Sequence, residues 1–66
     1  MRPGETELEM VSRHVADGDR QIEKQRALID KIANSGASTV AARALLAAFL
    51  DVQSLHCEHL ARLKNR

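Results

Sequence analysis

The chain has few of the residues that commonly stabilise or specialise a small protein. Of its 66 residues, Cys57 is the only cysteine and Phe49 is the only aromatic residue. One cysteine excludes a disulfide bond within the chain, and one aromatic ring excludes the base-stacking surfaces that bind single-stranded nucleic acid. Because so short a chain buries only about 60% of its unfolded surface, the sequence favours oligomerisation as a further source of stability.

The charge balance and the lack of long apolar runs exclude further classes of partner. Ten Lys and Arg residues nearly balance nine Asp and Glu residues, for a formal net charge of +1, whereas nucleic-acid-binding domains are strongly basic. No uninterrupted run reaches the roughly 18 apolar residues of a membrane-spanning helix. The first residues, Met1 to Glu5, lack the apolar segment of a signal peptide. The sequence therefore predicts a cytoplasmic protein that binds neither nucleic acid nor a membrane.

The first half of the chain contains a heptad repeat. Its positions follow one another at alternating spacings of three and four residues: Leu8, Val11, Val15, Gly18, Ile22, Gln25, Ile29 and Ile32. On an α-helix these positions form one narrow stripe, which has to be covered by another helix.

Local signals predict where two helices begin and end. Thr6 and Glu9 have the spacing of a capping box, and Gly36 stands where a left-handed glycine would end a helix. Two helices joined by so short a turn form an antiparallel hairpin, so the predicted fold is all-α. The predicted single domain, 1–66, consists of a flexible tail over 1–5, a helix over 6–35, a turn over 36–38 and a helix over 39–64.

The second predicted helix carries two apolar seams. The Leu45 seam consists of Ala41, Leu45, Ala48, Val52, Leu55 and His59, and the Leu46 seam consists of Ala42, Leu46, Phe49, Gln53, His56, Leu60 and Leu63. Folding the chain at Gly36 places Ala48 opposite Gln25 and Leu55 opposite Gly18, so that large and small side chains alternate. The Leu45 seam is therefore expected to contact the first helix.

The Leu46 seam then stays uncovered in a single hairpin. A large exposed apolar patch on a small protein marks an interface, and a second hairpin would complete a four-helix bundle. The sequence thus predicts a coiled-coil-like homodimer in which the second copy contacts Leu28, Leu46, Phe49, Gln53, His56, Leu60 and Leu63.

The reactive side chains do not form a recognisable catalytic or cofactor site. His56 and His59, three residues apart, could share a metal ion, but too few further ligands accompany them and packing roles are favoured. Cys57 lies near a helix C-terminus beside Glu58, where a reactive thiolate is disfavoured. No phosphotransfer motif flanks His14, which is expected to be a solvated histidine at the helix edge. No catalytic residue, cofactor or metal is predicted.

Both predicted helices contain strings that resemble those of a known group of sequences. These strings are Arg13-His14-Val15, Gly18, Ile22, Gln25-Arg26, Leu28-Ile29, Leu45-Leu46, Phe49, Leu55-His56 and His59-Leu60. From about Val11 to Leu63 the chain resembles short hypothetical proteins of α-proteobacteria. The resemblance implies a helical hairpin and assigns no catalytic residues.

The function that the sequence favours is that of a non-enzymatic interaction module. Such a module binds through the packing of helix faces, and its expected partners are a second copy of the chain and a larger regulatory protein. The alternative is a small metal-responsive or phosphoryl-accepting regulator that uses His14, or His56 and His59.

Overall fold

The protein consists of two long α-helices. The computed structural model describes residues 4–65, with α1 over Glu7–Asn34 and α2 over Val40–Lys64. Helix α1 begins one residue later and ends one residue earlier than the predicted helix over 6–35. Helix α2 begins one residue later than predicted.

The two helices lie side by side and run in opposite directions. Glu7, at the start of α1, is in contact with His59 near the end of α2. Gln25, in the second half of α1, is in contact with Ala42 at the start of α2. The predicted all-α hairpin is therefore confirmed.

Two pairs of side chains hold the N-terminal end of α1. Thr6 Oγ1 accepts a hydrogen bond from the Glu9 N–H at 3.1 Å, and the Glu9 carboxylate accepts one from the Thr6 N–H. This confirms the capping box.

Glu5 is predicted to lie in a flexible tail, but its carboxylate accepts two hydrogen bonds from Arg13, at 3.1 and 3.2 Å. Hydrogen bonding to Glu5 raises the pKa of Arg13. Residues 1–3 of the predicted tail lie outside the described residues.

The turn between the helices has the expected left-handed glycine. Gly36 has a φ of 82°, and its N–H donates to the Ala33 carbonyl at 3.1 Å. The Ala37 N–H donates to the Ile32 carbonyl at 3.2 Å. These two bonds satisfy carbonyls that the end of α1 would otherwise leave free, in the pattern of a Schellman motif.

The heptad of α1 forms its side of the contact between the helices. Its buried members are Val11, Gln25 and Ile29, its half-buried members are Val15, Gly18, Ile22 and Ile32, and Leu8 is 42% exposed. The molecule measures 48 × 21 × 13 Å, and its smallest dimension is close to the diameter of a single helix. Both broad faces of the hairpin therefore lie open to solvent.

Candidate interaction surface

The Leu46 seam, predicted to contact a second copy, faces α1 within the hairpin. Gln53 is buried, and the half-buried members are Ala42, Leu46, Phe49, His56, Leu60 and Leu63. The expectation that a single hairpin leaves this seam uncovered is wrong. Leu28, the α1 residue of the predicted interface, is 45% exposed. That any of these residues contacts a second chain stays a prediction.

A glutamine from each helix forms a hydrogen bond with the backbone of the other helix. Gln25 Nε2 donates to the Ala42 carbonyl at 2.8 Å, and Gln53 Nε2 donates to the Val15 carbonyl at 2.9 Å. The two side chains are only 7% and 8% exposed. Because a buried amide is costly unless it is hydrogen-bonded, these bonds favour one register. In that register Gln25 lies next to Ala42, and its predicted position opposite Ala48 is wrong.

Gly18 provides the space that the Gln53 amide occupies. A Cβ at Gly18 would lie 2.0 Å from Gln53 Oε1 and 2.8 Å from Gln53 Cδ, so any larger residue would displace the amide. Gln53 Nε2 also donates to Asp19 Oδ1 at 2.8 Å. The prediction that Leu55 lies opposite Gly18 is therefore wrong, because the space next to the glycine is filled by the Gln53 amide, which has two hydrogen-bond acceptors on α1.

The Leu45 seam, predicted to contact α1, is the surface that stays exposed. Its large side chains, Leu45, Val52 and Leu55, are 47%, 50% and 63% exposed. Ala41 and Ala48, between them, are also exposed. The structure thus exchanges the predicted roles of the two seams on α2.

A groove of about 310 Å³ borders the exposed seam on the side nearer α1. It is lined by His14, Asp17, Gly18, Gln21, Phe49, Val52, Gln53 and His56. Val52 belongs to both the groove and the Leu45 seam, so the two are continuous. The rings of His14 and His56, which both line the groove, are in contact with each other, with centroids 5.2 Å apart. The sequence predicts that His14 is a solvated histidine, whereas in the structure it is half-buried.

Leu28 adds one exposed apolar side chain on α1, in a hollow that it lines with Lys24, Ala27 and Lys31. Gln21 lines the groove, and Leu28 lies seven residues, or about two turns, farther along the same side of α1. Leu28 is 45% exposed.

The histidines that could bind a metal ion contact different groups. His56 faces His14, whereas His59 Nε2 lies 3.0 Å from Glu7 Oε1. Cys57 is a free, exposed thiol. Within residues 4–65, no group of three or more His, Cys, Asp and Glu side chains is arranged to hold a metal ion.

By length and composition, α2 is apolar enough to cross a membrane. No uninterrupted apolar run in the sequence predicts this, because charged and polar residues interrupt the apolar stretches of α2. The core helix of a soluble protein meets the same criterion. Only 6% of the most apolar stretch of α2 is buried in the hairpin. The apolar residues that meet the criterion therefore include the exposed side chains of the Leu45 seam.

Comparison with protein-family models, curated proteins and solved structures finds no match to this chain. The resemblance to short hypothetical proteins of α-proteobacteria stays a prediction. The function is therefore argued from the exposed surface itself.

Proposed function

We propose that the protein is a small non-enzymatic interaction module that associates with a second copy of itself through the Leu45 seam. The observation that carries the proposal is the distribution of its apolar side chains. Within residues 4–65, Val11 and Ile29 are the buried apolar residues, whereas Leu45, Val52 and Leu55 are each close to half exposed or more. The hairpin thus leaves more large apolar side chains on one seam than it buries in its interior.

Covering the Leu45 seam is favourable enough to support association. Full burial of a Leu or Val side chain contributes about 1.5–3 kcal/mol, so a half-exposed one gains about 1 kcal/mol when a partner covers it. In a symmetric dimer the gain occurs in both copies. The total is a large share of the 5–15 kcal/mol or so that stabilises a typical domain.

The exposed area of the hairpin agrees with one missing interface. A compact monomer of 7.3 kDa exposes about 4,200 Å² according to the size scaling of folded proteins. This hairpin exposes 4895 Å², which is about 700 Å² more than that scaling gives. A standard protein interface buries roughly 800 Å² on each partner. A second hairpin laid on the Leu45 seam would form a four-helix bundle.

A protein partner suits this seam better than a lipid bilayer does. Arg43 and Asp51 lie in the first half of α2, and a charged side chain near the centre of a membrane span costs about 2.5–3.5 kcal/mol. The Gln53 amide is hydrogen-bonded to Val15 and Asp19 on α1. Insertion of α2 alone into a membrane would break both bonds, whereas the packing of a second hairpin keeps them.

Two matched variants test the proposal by sedimentation equilibrium. Leu45 and Leu50 are 47% and 40% exposed, but five residues separate them by about 140° around the helix, so only Leu45 belongs to the seam. We expect the wild-type protein to be a dimer at micromolar concentration. Leu45→Asp should weaken the dimer at least tenfold, whereas Leu50→Asp should leave its dissociation constant within about twofold of wild type.

Three outcomes would contradict the proposal. One is a folded wild-type protein that stays monomeric at high micromolar concentration. A second is equal weakening by Leu45→Asp and Leu50→Asp. The third is a monomeric wild type that sediments with phosphatidylcholine vesicles, or with a different protein, and loses this property in Leu45→Asp, since the seam would then serve a membrane or an unlike partner.

A further inference from the structure

The groove beside the Leu45 seam brings together two histidines that are far apart in the sequence. His14 on α1 and His56 on α2 both line it, and their rings are in contact, with centroids 5.2 Å apart. We infer that this pair binds one zinc ion per chain, through one imidazole nitrogen from each helix, with water in the remaining positions. Both ligands belong to the same chain, so the inference does not depend on self-association.

The separation of the two rings agrees with the separation that zinc requires. Zinc binds histidine nitrogen at about 2.0–2.1 Å and is most often tetrahedral. Because a ring centre lies about 1.15 Å behind its coordinating nitrogen, two histidines on one tetrahedral zinc ion have centroids about 5.2 Å apart. The rings of His14 and His56 are already at this distance. The angle of 36° between their planes does not conflict with it, since each ring turns freely about its own metal–nitrogen bond.

The charges that line the groove suit a cation. Asp17 lies three residues after His14, on the same side of α1, and no lysine or arginine is among the described residues that line the groove. The Asp17 carboxylate forms salt bridges with Arg13 and Arg20, so we count it as a neighbouring negative charge and not as a ligand. The site therefore has two protein ligands, in agreement with the absence of any larger ligand group within residues 4–65.

A zinc ion bound in this way would join the two helices at the end of the hairpin away from the turn. His14 and His56 are 42 residues apart in the chain, and the hairpin fold is what brings their rings together. An ion that binds the folded state and not the unfolded one stabilises the fold by mass action. With water in the other positions the ion exchanges readily, so zinc adds to the stability of a hairpin that already folds without it.

Calorimetric titration with zinc chloride tests the site in the full-length protein. The background is Cys57→Ser, because the exposed thiol next to His56 is itself a good zinc ligand. We expect one zinc ion per chain. His14→Ala and His56→Ala should each weaken zinc binding at least tenfold. The matched control is His59→Ala, which removes a histidine of the same helix that lies next to Glu7 instead and should leave the affinity within about twofold.

Two further measurements distinguish a shared ion from separate binding at single histidines. The double variant of His14 and His56 should bind zinc no more weakly than either single variant, because the two imidazoles act as a unit and their effects are not additive. In the Cys57→Ser protein with all three histidines present, zinc should shift the imidazole NMR signals of His14 and His56 and leave those of His59 in place. This second measurement needs no substitution in the groove, so it stands even if a groove variant folds poorly.

Four outcomes would overturn the inference. These are no binding to folded Cys57→Ser protein at millimolar zinc, one zinc ion per two chains, a loss of affinity in His59→Ala as large as in His56→Ala, and losses in His14→Ala and His56→Ala that add in the double variant. None of them bears on the Leu45 seam, because self-association is measured separately by sedimentation of protein without zinc. A monomeric protein that binds zinc through His14 and His56 would likewise refute the proposed function and leave this inference in place.

Discussion

The side-chain amide of Gln53 lies against the backbone of Gly18, in the space that a Cβ would occupy in any other residue. The amide nitrogen donates to the Val15 carbonyl and to the Asp19 carboxylate from this position. A glycine inside a helix costs about 1 kcal/mol relative to alanine. The contact offsets that cost, because it lets a buried polar side chain satisfy its donors on the neighbouring helix.

The first prediction concerns this contact. Gly18→Ala should lower the free energy of unfolding, because a Cβ only 2.0 Å from Gln53 Oε1 forces the amide out of its place. Displacement breaks hydrogen bonds whose loss at a buried site costs about 1–3 kcal/mol, and the better helix propensity of alanine returns about 1 kcal/mol. We expect a net loss of about 1 kcal/mol, measured by urea unfolding at one fixed protein concentration.

A double-mutant cycle provides the control for Gly18→Ala. In the Gln53→Ala background no side chain fills the space next to residue 18, so the same substitution should stabilise the protein by about 1 kcal/mol through helix propensity alone. The sign of its effect should therefore reverse between the two backgrounds. Stabilisation in both backgrounds would show that the Gln53 amide does not depend on a glycine at position 18.

The ends of the helices could be predicted from the sequence because their signals are local. The capping box of Thr6 and Glu9 and the left-handed conformation of Gly36 each depend on residues within a few positions of one another. The heptad of α1 is likewise a property of a single helix. Each of these features has the same physical basis in an isolated segment as in the folded hairpin.

The choice between the two seams of α2 could not be made by the same reasoning. The seams have the same spacing of three and four residues and differ by one position, so periodicity does not distinguish them. In the structure, polar contacts distinguish the two seams: Gln25 and Gln53 each donate a hydrogen bond to a backbone carbonyl on the opposite helix. Gly18 was the available signal, since a glycine within a helix suggests close approach by a side chain, but the sequence does not say which one.

The second prediction concerns the turn. Gly36→Val should lower the free energy of unfolding by about 1–2 kcal/mol, because an L-residue with a side chain is strained at positive φ. A Cβ at this position would meet no atom within 4 Å, so backbone strain is the only cost. Gly36→Asn is the matched control, since asparagine tolerates the left-handed region better than valine. Thermal unfolding followed by circular dichroism should place Asn between the wild type and Val, and equal melting of all three would refute the role of Gly36.

The third prediction concerns Phe49. The sequence predicts that it lies in a dimer interface, whereas in the structure it lies between the two helices of one hairpin. Phe49 is half-buried on the side of α2 that faces α1, where it lines the groove together with His14 and Gly18. Truncating a fully buried Phe to Ala costs about 3–5 kcal/mol, so a half-buried one should cost about 2 kcal/mol. Phe49→Ala should therefore lower the stability of the hairpin itself, as measured by urea unfolding.

Leu50→Ala is the control for Phe49, because the neighbouring Leu50 is 40% exposed and lies about 100° around the helix from Phe49. Its truncation should cost about 0.5 kcal/mol or less, as is typical of surface positions. The decisive measurement is the oligomeric state of Phe49→Ala, determined by sedimentation equilibrium at temperatures where this variant is still folded. If the Leu45 seam forms the dimer, folded Phe49→Ala should remain dimeric although it is less stable. A Phe49→Ala protein that unfolds like the wild type but is monomeric would return Phe49 to the interface between copies, and the assignment of the two seams would have to be reversed.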